Sequence, residues 1–210
     1  MKEKEKESKE LIFKIITIGN SGVGKTSIIK RYVHNSFDEK SLSTIGIGIA
    51  FKEVTLKNGK SIKLKFIDTA GQETYKALTK TYYKNTDGVL FIFSLDDRKS
   101  FVEISDWIKS FKNANNDNIP KYLIGNKSDL NEKCVEEEEI KQLKEEHDLI
   151  SCFYSSAKTN TNIDPIFQEL SEKLYKNFKK SGKNSQSLII LEKKKMKKHD
   201  PKCILCIPDA

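Results

Sequence analysis

Apolar residues fall into short blocks along the chain, and their spacing sets the elements. LIFKIITI (11–18) is a nearly continuous apolar run of strand length, which predicts a buried strand. A Gly-rich turn follows, after which Ile28, Ile29, Tyr32 and Val33 recur at helical spacing. Residues 35–46 are polar and irregular. The strand-like runs 47–56 and 60–67 flank Asn58-Gly59, a strong hairpin signal. GVLFIFS (88–94) predicts another buried strand, and Phe101, Ile104, Trp107, Ile108 and Phe111 form one helical stripe. KYLIG (121–125) reads as a short strand and EEEEIKQLKEEH (136–147) as an exposed helix. LISCFYS (149–155) reads as a strand with Cys152 turned to the core. Ile163, Ile166, Phe167, Leu170, Leu174 and Phe178 mark an amphipathic helix with Asn162 as its cap.

Strands therefore alternate with helices, with one hairpin inserted. This predicts an α/β domain over 11–178: a mostly parallel, doubly wound sheet with one antiparallel edge strand. Sheets of this kind bind ligands beyond the carboxyl ends of their strands, so the chemistry belongs in strand-to-helix loops. Residues 1–10 alternate charge without apolar anchors and are expected to be a mobile extension. Residues 179–210 are expected to be a flexible basic tail.

Composition narrows the class. The chain has 210 residues, 37% hydrophobic and 32% charged, enough apolar content for one packed core. No run approaches the ~18 apolar residues of a membrane span. Four scattered cysteines do not make a disulfide scaffold. A soluble intracellular protein is the expectation. The net charge of +8 invites a nucleic-acid partner, but its position argues otherwise. Residues 176–210 hold ten lysines against three acids, so the body is nearly neutral. With only two arginines in the chain, Arg31 and Arg98, no nucleic-acid partner is expected.

GNSGVGKT (19–26) fits G-x-x-x-x-G-K-[ST], directly after the first strand and opening a helix, which is the context that motif needs. Its glycines let successive N–H groups face one concavity, and the helix N-terminus adds positive potential. Candidate nucleotide contacts here are Asn20, Ser21, Gly22, Val23, Gly24, Lys25, Thr26 and Ser27. Lys25 reaches the outer phosphates, and Thr26 offers its hydroxyl to Mg²⁺. NKSD (126–129) follows the KYLIG strand. The Asp129 carboxylate can accept both guanine hydrogens, N1–H and N2–H, for which adenine has no counterpart. Asn126 either braces the loop or meets the base edge, and the Lys127 stem covers one face of the ring. In SSAK (155–158) the Ala157 N–H meets guanine O6, with Ser156 and Lys158 beside it. DTAGQE (68–73) ends the second hairpin strand. Asp68 suits a Mg²⁺ ligand, the Gly71 N–H a γ-phosphate, and Gln72 can orient an attacking water. Thr44 can close over the same metal.

In order and spacing these residues resemble the Ras superfamily of small GTPases, most closely its Rab branch, over about residues 11–178. YYKNTDGVLFIFSL (82–95) and STIGI (43–47) add to the likeness. The resemblance implies a P-loop GTPase fold of six strands and five helices, with Phe37 packed edge-on against guanine. It implies GTP hydrolysis to GDP and phosphate, with Lys25 and Gln72 as the catalytic pair, Mg²⁺ as cofactor, and Thr26, Thr44 and Asp68 as its ligands. It further implies a monomeric G domain that regulates vesicle trafficking. The partners would be effectors, an exchange factor, a GTPase-activating protein and an escort or GDI-type chaperone. Neither arginine lies in a motif, so slow intrinsic turnover is expected. The competing readings are another branch of the superfamily and a GTP-binding module without turnover.

The chain departs from the Rab pattern near its partner surfaces. It reads TIGIGIAF after the switch threonine, Ile67 where Rabs carry Trp, and Thr74 where Rabs carry Arg. Ile67 leaves the aromatic triad with Phe51 and Tyr83 incomplete. At the tail, KKKMKK (193–198) precedes Cys203 and Cys206. Polybasic charge plus lipid is a two-signal membrane anchor, so lipidation of one or both cysteines is expected, on the cytoplasmic face of intracellular membranes. Bystander thiols are the alternative.

Overall fold

A computed structural model of the chain describes residues 10–39, 44, 46–69, 81–115 and 119–180. The predicted N-terminal extension, Gly71, Gln72 and the tail with Cys203 and Cys206 lie outside them, apart from Glu10, Lys179 and Lys180. Six strands form one sheet: β1 (Ile12–Ile18), β2 (Ile47–Thr55), β3 (Ser61–Thr69), β4 (Gly88–Ser94), β5 (Lys121–Asn126) and β6 (Ser151–Tyr154). Their order is β2-β3-β1-β4-β5-β6. Every pairing is parallel except β2 with β3, the predicted hairpin at one edge. The Asn58-Gly59 turn is closed by the Gly59 N–H on the Leu56 carbonyl, 2.9 Å. Helices accompanying the sheet include α1 (Lys25–His34), α2 (Arg98–Val102), α3 (Ile104–Ala114), α4 (Glu137–Glu146) and α5 (Ile163–Lys180), and residues 81–83 are also helical.

The unbroken apolar runs of the sequence form the sheet centre. Ile15, Ile16, Ile18 and all seven residues of β4 are buried, because helices cover both faces of these strands. α1 and α5 pack on one face, with Tyr32, Phe66 and Phe167 at the centre of that core. Phe167 stacks on Tyr32 at 4.0 Å and meets Phe66 edge-on at 5.3 Å. Phe167→Ala is expected to cost about 3–5 kcal/mol of stability, read as a lower urea midpoint at unchanged m-value. The other face packs α3 and α4 through Trp107, Ile108, Phe111, Ile140 and Leu143.

One detail differs from the sequence reading. The single stripe from Phe101 to Phe111 is divided at Glu103, which ends α2 and begins α3. Asn162 lies at a left-handed φ of 57°, and its amide nitrogen donates to the Tyr154 carbonyl, tying β6 to the start of α5.

Candidate functional site

The site is assembled at the carboxyl ends of β1, β3, β5 and β6. The segment from Gly19 to Gly24 connects β1 to α1, and α1 begins at Lys25. Gly24 sits at φ 94°, and a Cβ there would collide with the Asn126 amide nitrogen. That nitrogen donates to the Val23 carbonyl at 2.9 Å, a fully buried bond. Asn126 therefore braces the phosphate-type loop against the NKSD loop, and it also lines the cavity. The Ser155 hydroxyl reaches Asn126 Oδ1 at 3.3 Å, and the Ser128 N–H bonds the Ser155 carbonyl at 2.9 Å. The three loops thus form one hydrogen-bonded unit.

Between them lies a cavity of about 340 Å³, a size suited to a small-molecule ligand. Ser21, Gly22, Gly24, Lys25, Thr26 and Ser27 form its floor; Asn126, Lys127, Asp129, Ala157 and Lys158 form one end. Phe37 and Thr44 border it from the segment after α1. Asn20, Val23 and Ser156 do not line it. Val23 and Ser156 are fully buried behind the loops, and the Asn20 side chain turns to α3.

Lys25 is 5% exposed, and its ammonium donates to the carbonyls of Gly19 at 2.9 Å and Asn20 at 2.6 Å. Burial pulls its pKa down to about 8, while nearby Asp68 pulls it up. Asp68 is buried too, and desolvation raises its carboxyl above the usual range against the opposing bond from Thr26. A buried cation and a buried anion, each disfavoured by desolvation, fit a ligand that is itself anionic and brings a cation.

Three oxygens meet beside them. Thr26 Oγ1 lies 2.6 Å from both Asp68 Oδ2 and Thr44 Oγ1. Thr26 has one hydroxyl hydrogen, so donation to Asp68 leaves Thr44 as donor to Thr26. The donor set is hard oxygen only, which suits Mg²⁺ sharing its shell with phosphate. Among the described residues no group of three or more His, Cys, Asp or Glu is placed to hold a metal ion.

At the far end, Asp129 Oδ1 is buried and has no hydrogen-bond partner. Asp129 lines the cavity, and an unpaired carboxylate oxygen at that end is the acceptor that a guanine edge requires. Phe37 is half-buried at the same end, where the Arg31 guanidinium lies 6.0 Å from its ring centroid.

Sequence reasoning missed Arg31. From α1 its Nε donates to the Ala157 carbonyl at 2.8 Å and one terminal nitrogen to the Lys158 carbonyl at 3.1 Å. Both carbonyls are occupied from behind, so Arg31 anchors the SSAK loop to α1. The available signal was its rarity, one of two arginines in the chain. Lys158 crosses the rim to Glu39 at 2.6 Å.

The partner-surface departures also have a geometry. Ile67 is 2% exposed within β3. Phe51, 47% exposed on the edge strand, lies under the Lys63 ammonium at 5.6 Å. Tyr83 is fully buried against Phe111 at 5.0 Å.

Comparison with known proteins identifies the family. Residues 14–176 match the Ras family. The chain is 39% identical over 175 residues to the Ras-related protein Rab-13 of Canis lupus familiaris, covering 83% of this chain and 84% of that one. It is 39% identical over 168 residues to the Ras-related protein Rab-10 of Diplobatis ommata, covering 80% and 83%. It is likewise 39% identical over 170 residues to the Ras-related protein RABA1b of Arabidopsis thaliana, covering 80% and 77%. The chain therefore belongs to the Ras family and to its Rab branch, and is a small GTPase of membrane trafficking that hydrolyses GTP.

Proposed function

We propose that this Rab-type GTPase binds GTP with Mg²⁺ in the cavity between the three loops and acts as a timed switch on vesicle traffic. The observation that carries the reading is the joined pair of loops. Asn126 ties the phosphate loop to the base end, where Asp129 lines the cavity with a buried, unpaired Oδ1, and Lys25 lines it beside the phosphate loop. One ligand with a guanine edge and a charged phosphate chain answers both.

Thr26, Thr44 and Asp68 would hold Mg²⁺, which when bound neutralises charge on the phosphate oxygens. The chain's own work is positional. Lys25 and the loop N–H groups would hold the outer phosphates. Gln72 would orient the attacking water and Gly71 would meet the γ-phosphate; both lie outside the described residues. Thr44 touches Thr26 and comes from the segment that contacts partners, so loss of the γ-phosphate would release that segment and change the surface effectors read.

Neither arginine approaches the phosphate end: Arg31 is bonded to Ala157 and Lys158, and Arg98 is paired with Glu139 at 2.6 Å. No arginine of the described chain is placed to act in cis. The intrinsic rate is therefore expected at roughly 10⁻⁴–10⁻² s⁻¹, rising when a GTPase-activating partner supplies an arginine. Single-turnover phosphate release from GTP-loaded protein tests this; a rate near 1 s⁻¹ on the isolated chain contradicts it. Chelation of Mg²⁺ should accelerate nucleotide release in the same preparation. An exchange factor and an escort or GDI-type chaperone complete the partner set.

The tail is proposed to attach the protein to the cytoplasmic face of membranes through lipid on Cys203, Cys206 or both, aided by the lysines of 193–198. Among the described residues no helix is long and apolar enough to cross a membrane. Intact mass of protein isolated from cells decides the point: an unmodified mass removes the lipid.

A further inference from the structure

Asn20 opens the phosphate loop, yet its side chain leaves the cavity. Its Oδ1 accepts from the Trp107 indole N–H at 2.7 Å, and its Nδ2 donates to Glu103 Oε2 at 2.8 Å. The orientation of this amide is fixed by chemistry, because indole nitrogen only donates and an ionised carboxylate only accepts. Trp107 is 4% exposed in the first turn of α3, and Glu103 is the residue immediately before that helix. Glu103 is itself held by Lys99 at 3.7 Å. The main-chain carbonyl of the same Asn20 accepts from the Lys25 ammonium at 2.6 Å. Gly19, the neighbouring residue, is pressed so close to the Ile92 carbonyl of β4 that a Cβ there would collide with it. The beginning of the loop is thus backed by β4 and gripped by α3.

We propose that Asn20 is a positioning residue of the nucleotide site: Trp107 and Glu103 lock its side chain, and the locked residue places the carbonyl that aims Lys25 at the outer phosphates. This rests on the guanine-nucleotide reading of the cavity. Neither Trp107 nor Glu103 lines that cavity, so both act only through Asn20. The effect must therefore be confined to the part of the ligand that Lys25 meets. The base end, with Asp129 and Ala157, comes from other loops, and neither Trp107 nor Glu103 bonds to it.

That separation supplies the test. Full-length Trp107→Phe keeps the buried ring and removes the N–H. Its affinity for GDP should fall about tenfold, the value of one hydrogen bond to a buried acceptor, while its affinity for GMP, which lacks the outer phosphate, should not change. Asn20→Asp keeps the bond from Trp107 but sets a carboxylate against Glu103, and should weaken GDP similarly. Adding Glu103→Gln restores a donor opposite that carboxylate, so the double variant should recover GDP affinity to near wild type. Equal losses for GDP and GMP would mean general destabilisation and overturn the proposal. Unchanged GDP affinity in Trp107→Phe, or a double variant no better than Asn20→Asp, overturns it as well. If Trp107→Phe does not fold, as judged by far-ultraviolet circular dichroism, the Asn20 and Glu103 pair decides alone. Wild-type protein that does not prefer GDP to ADP in the same titrations removes the guanine reading instead, a distinct result.

Discussion

Lys25→Ala should lose GDP and GTP affinity by about 100-fold or more, equivalent to ~3 kcal/mol, as expected for removing charge-assisted bonds in a desolvated site. The magnitude follows from the lysine's setting. Its ammonium is held by two carbonyls and shielded from solvent, so a phosphate reaching it meets a cation with little competing water. Without it, buried Asp68 stands near the phosphates with its charge uncompensated from that side. The fold should survive. Lys25 is the first residue of α1, alanine is a better helix former, and the variant no longer buries an ammonium. Isothermal calorimetry for affinity and thermal unfolding with and without GDP check both halves. The variant should unfold at or above the wild-type temperature when empty, and gain far less from added GDP. Unchanged GDP affinity would remove Lys25 from the site.

What was legible in the sequence was local. The alternation of strands and helices, the hairpin at Asn58-Gly59 and the three loops were read in order because each depends on neighbours. A phosphate loop needs glycine where the backbone turns and lysine where the helix starts, all within eight residues. The register of β2 against β3, from Ile47 opposite Thr69 to Thr55 opposite Ser61, follows from the short turn that joins them. What was not legible depends on pairs distant in the chain. Asn20 meets a tryptophan 87 residues away, and Arg31 meets a carbonyl 126 residues away. Such contacts leave no periodicity. Asn20 was therefore grouped with the nucleotide contacts by its place in the motif, although its side chain serves the loop from behind. The division of the Phe101–Phe111 stripe at Glu103 was invisible for a related reason: apolar spacing carries through the break without a change of phase.

The departures from the Rab pattern show the same limit at a surface. Ile67 in place of tryptophan leaves β3 with a compact buried aliphatic residue. Phe51 stays at the exposed edge and Tyr83 goes into the core beside Phe111. The sequence shows that the triad is incomplete; only the fold shows its remaining members placed in different environments. Beside Phe51, Ile49 is also about half exposed, so the edge strand carries exposed apolar side chains.

On the proposed reading of the site, a single carboxylate selects the base, and Asp129→Asn should invert that selection. In the wild type one oxygen of Asp129 is buried without a partner at the base end of the cavity, and the loop that carries it is fixed by Asn126 and Ser128. Guanine offers two hydrogens in one plane, N1–H and N2–H, and an ionised carboxylate accepts both. An asparagine accepts only one and presents its own N–H₂ to the other, so donor faces donor. Losing one charged bond and creating that conflict should weaken GDP by about 100-fold or more, from ~1.5–3 kcal/mol per charged bond. Xanthine carries oxygen where guanine carries the amino group, and keeps N1–H. The same asparagine matches it: amide oxygen to N1–H, amide nitrogen to the xanthine oxygen. Asp129→Asn should therefore bind xanthosine diphosphate more tightly than GDP, whereas the wild type ranks them in the opposite order. The phosphate end is unaltered, so adenosine diphosphate should bind weakly to both. Asp129 sits on a partly exposed loop and carries none of the bonds that join the loops, so the variant should unfold at nearly the wild-type temperature when empty. Calorimetry with the three diphosphates on both proteins settles the order. If the variant still prefers GDP, the base is read by some other group and Asp129 loses its role.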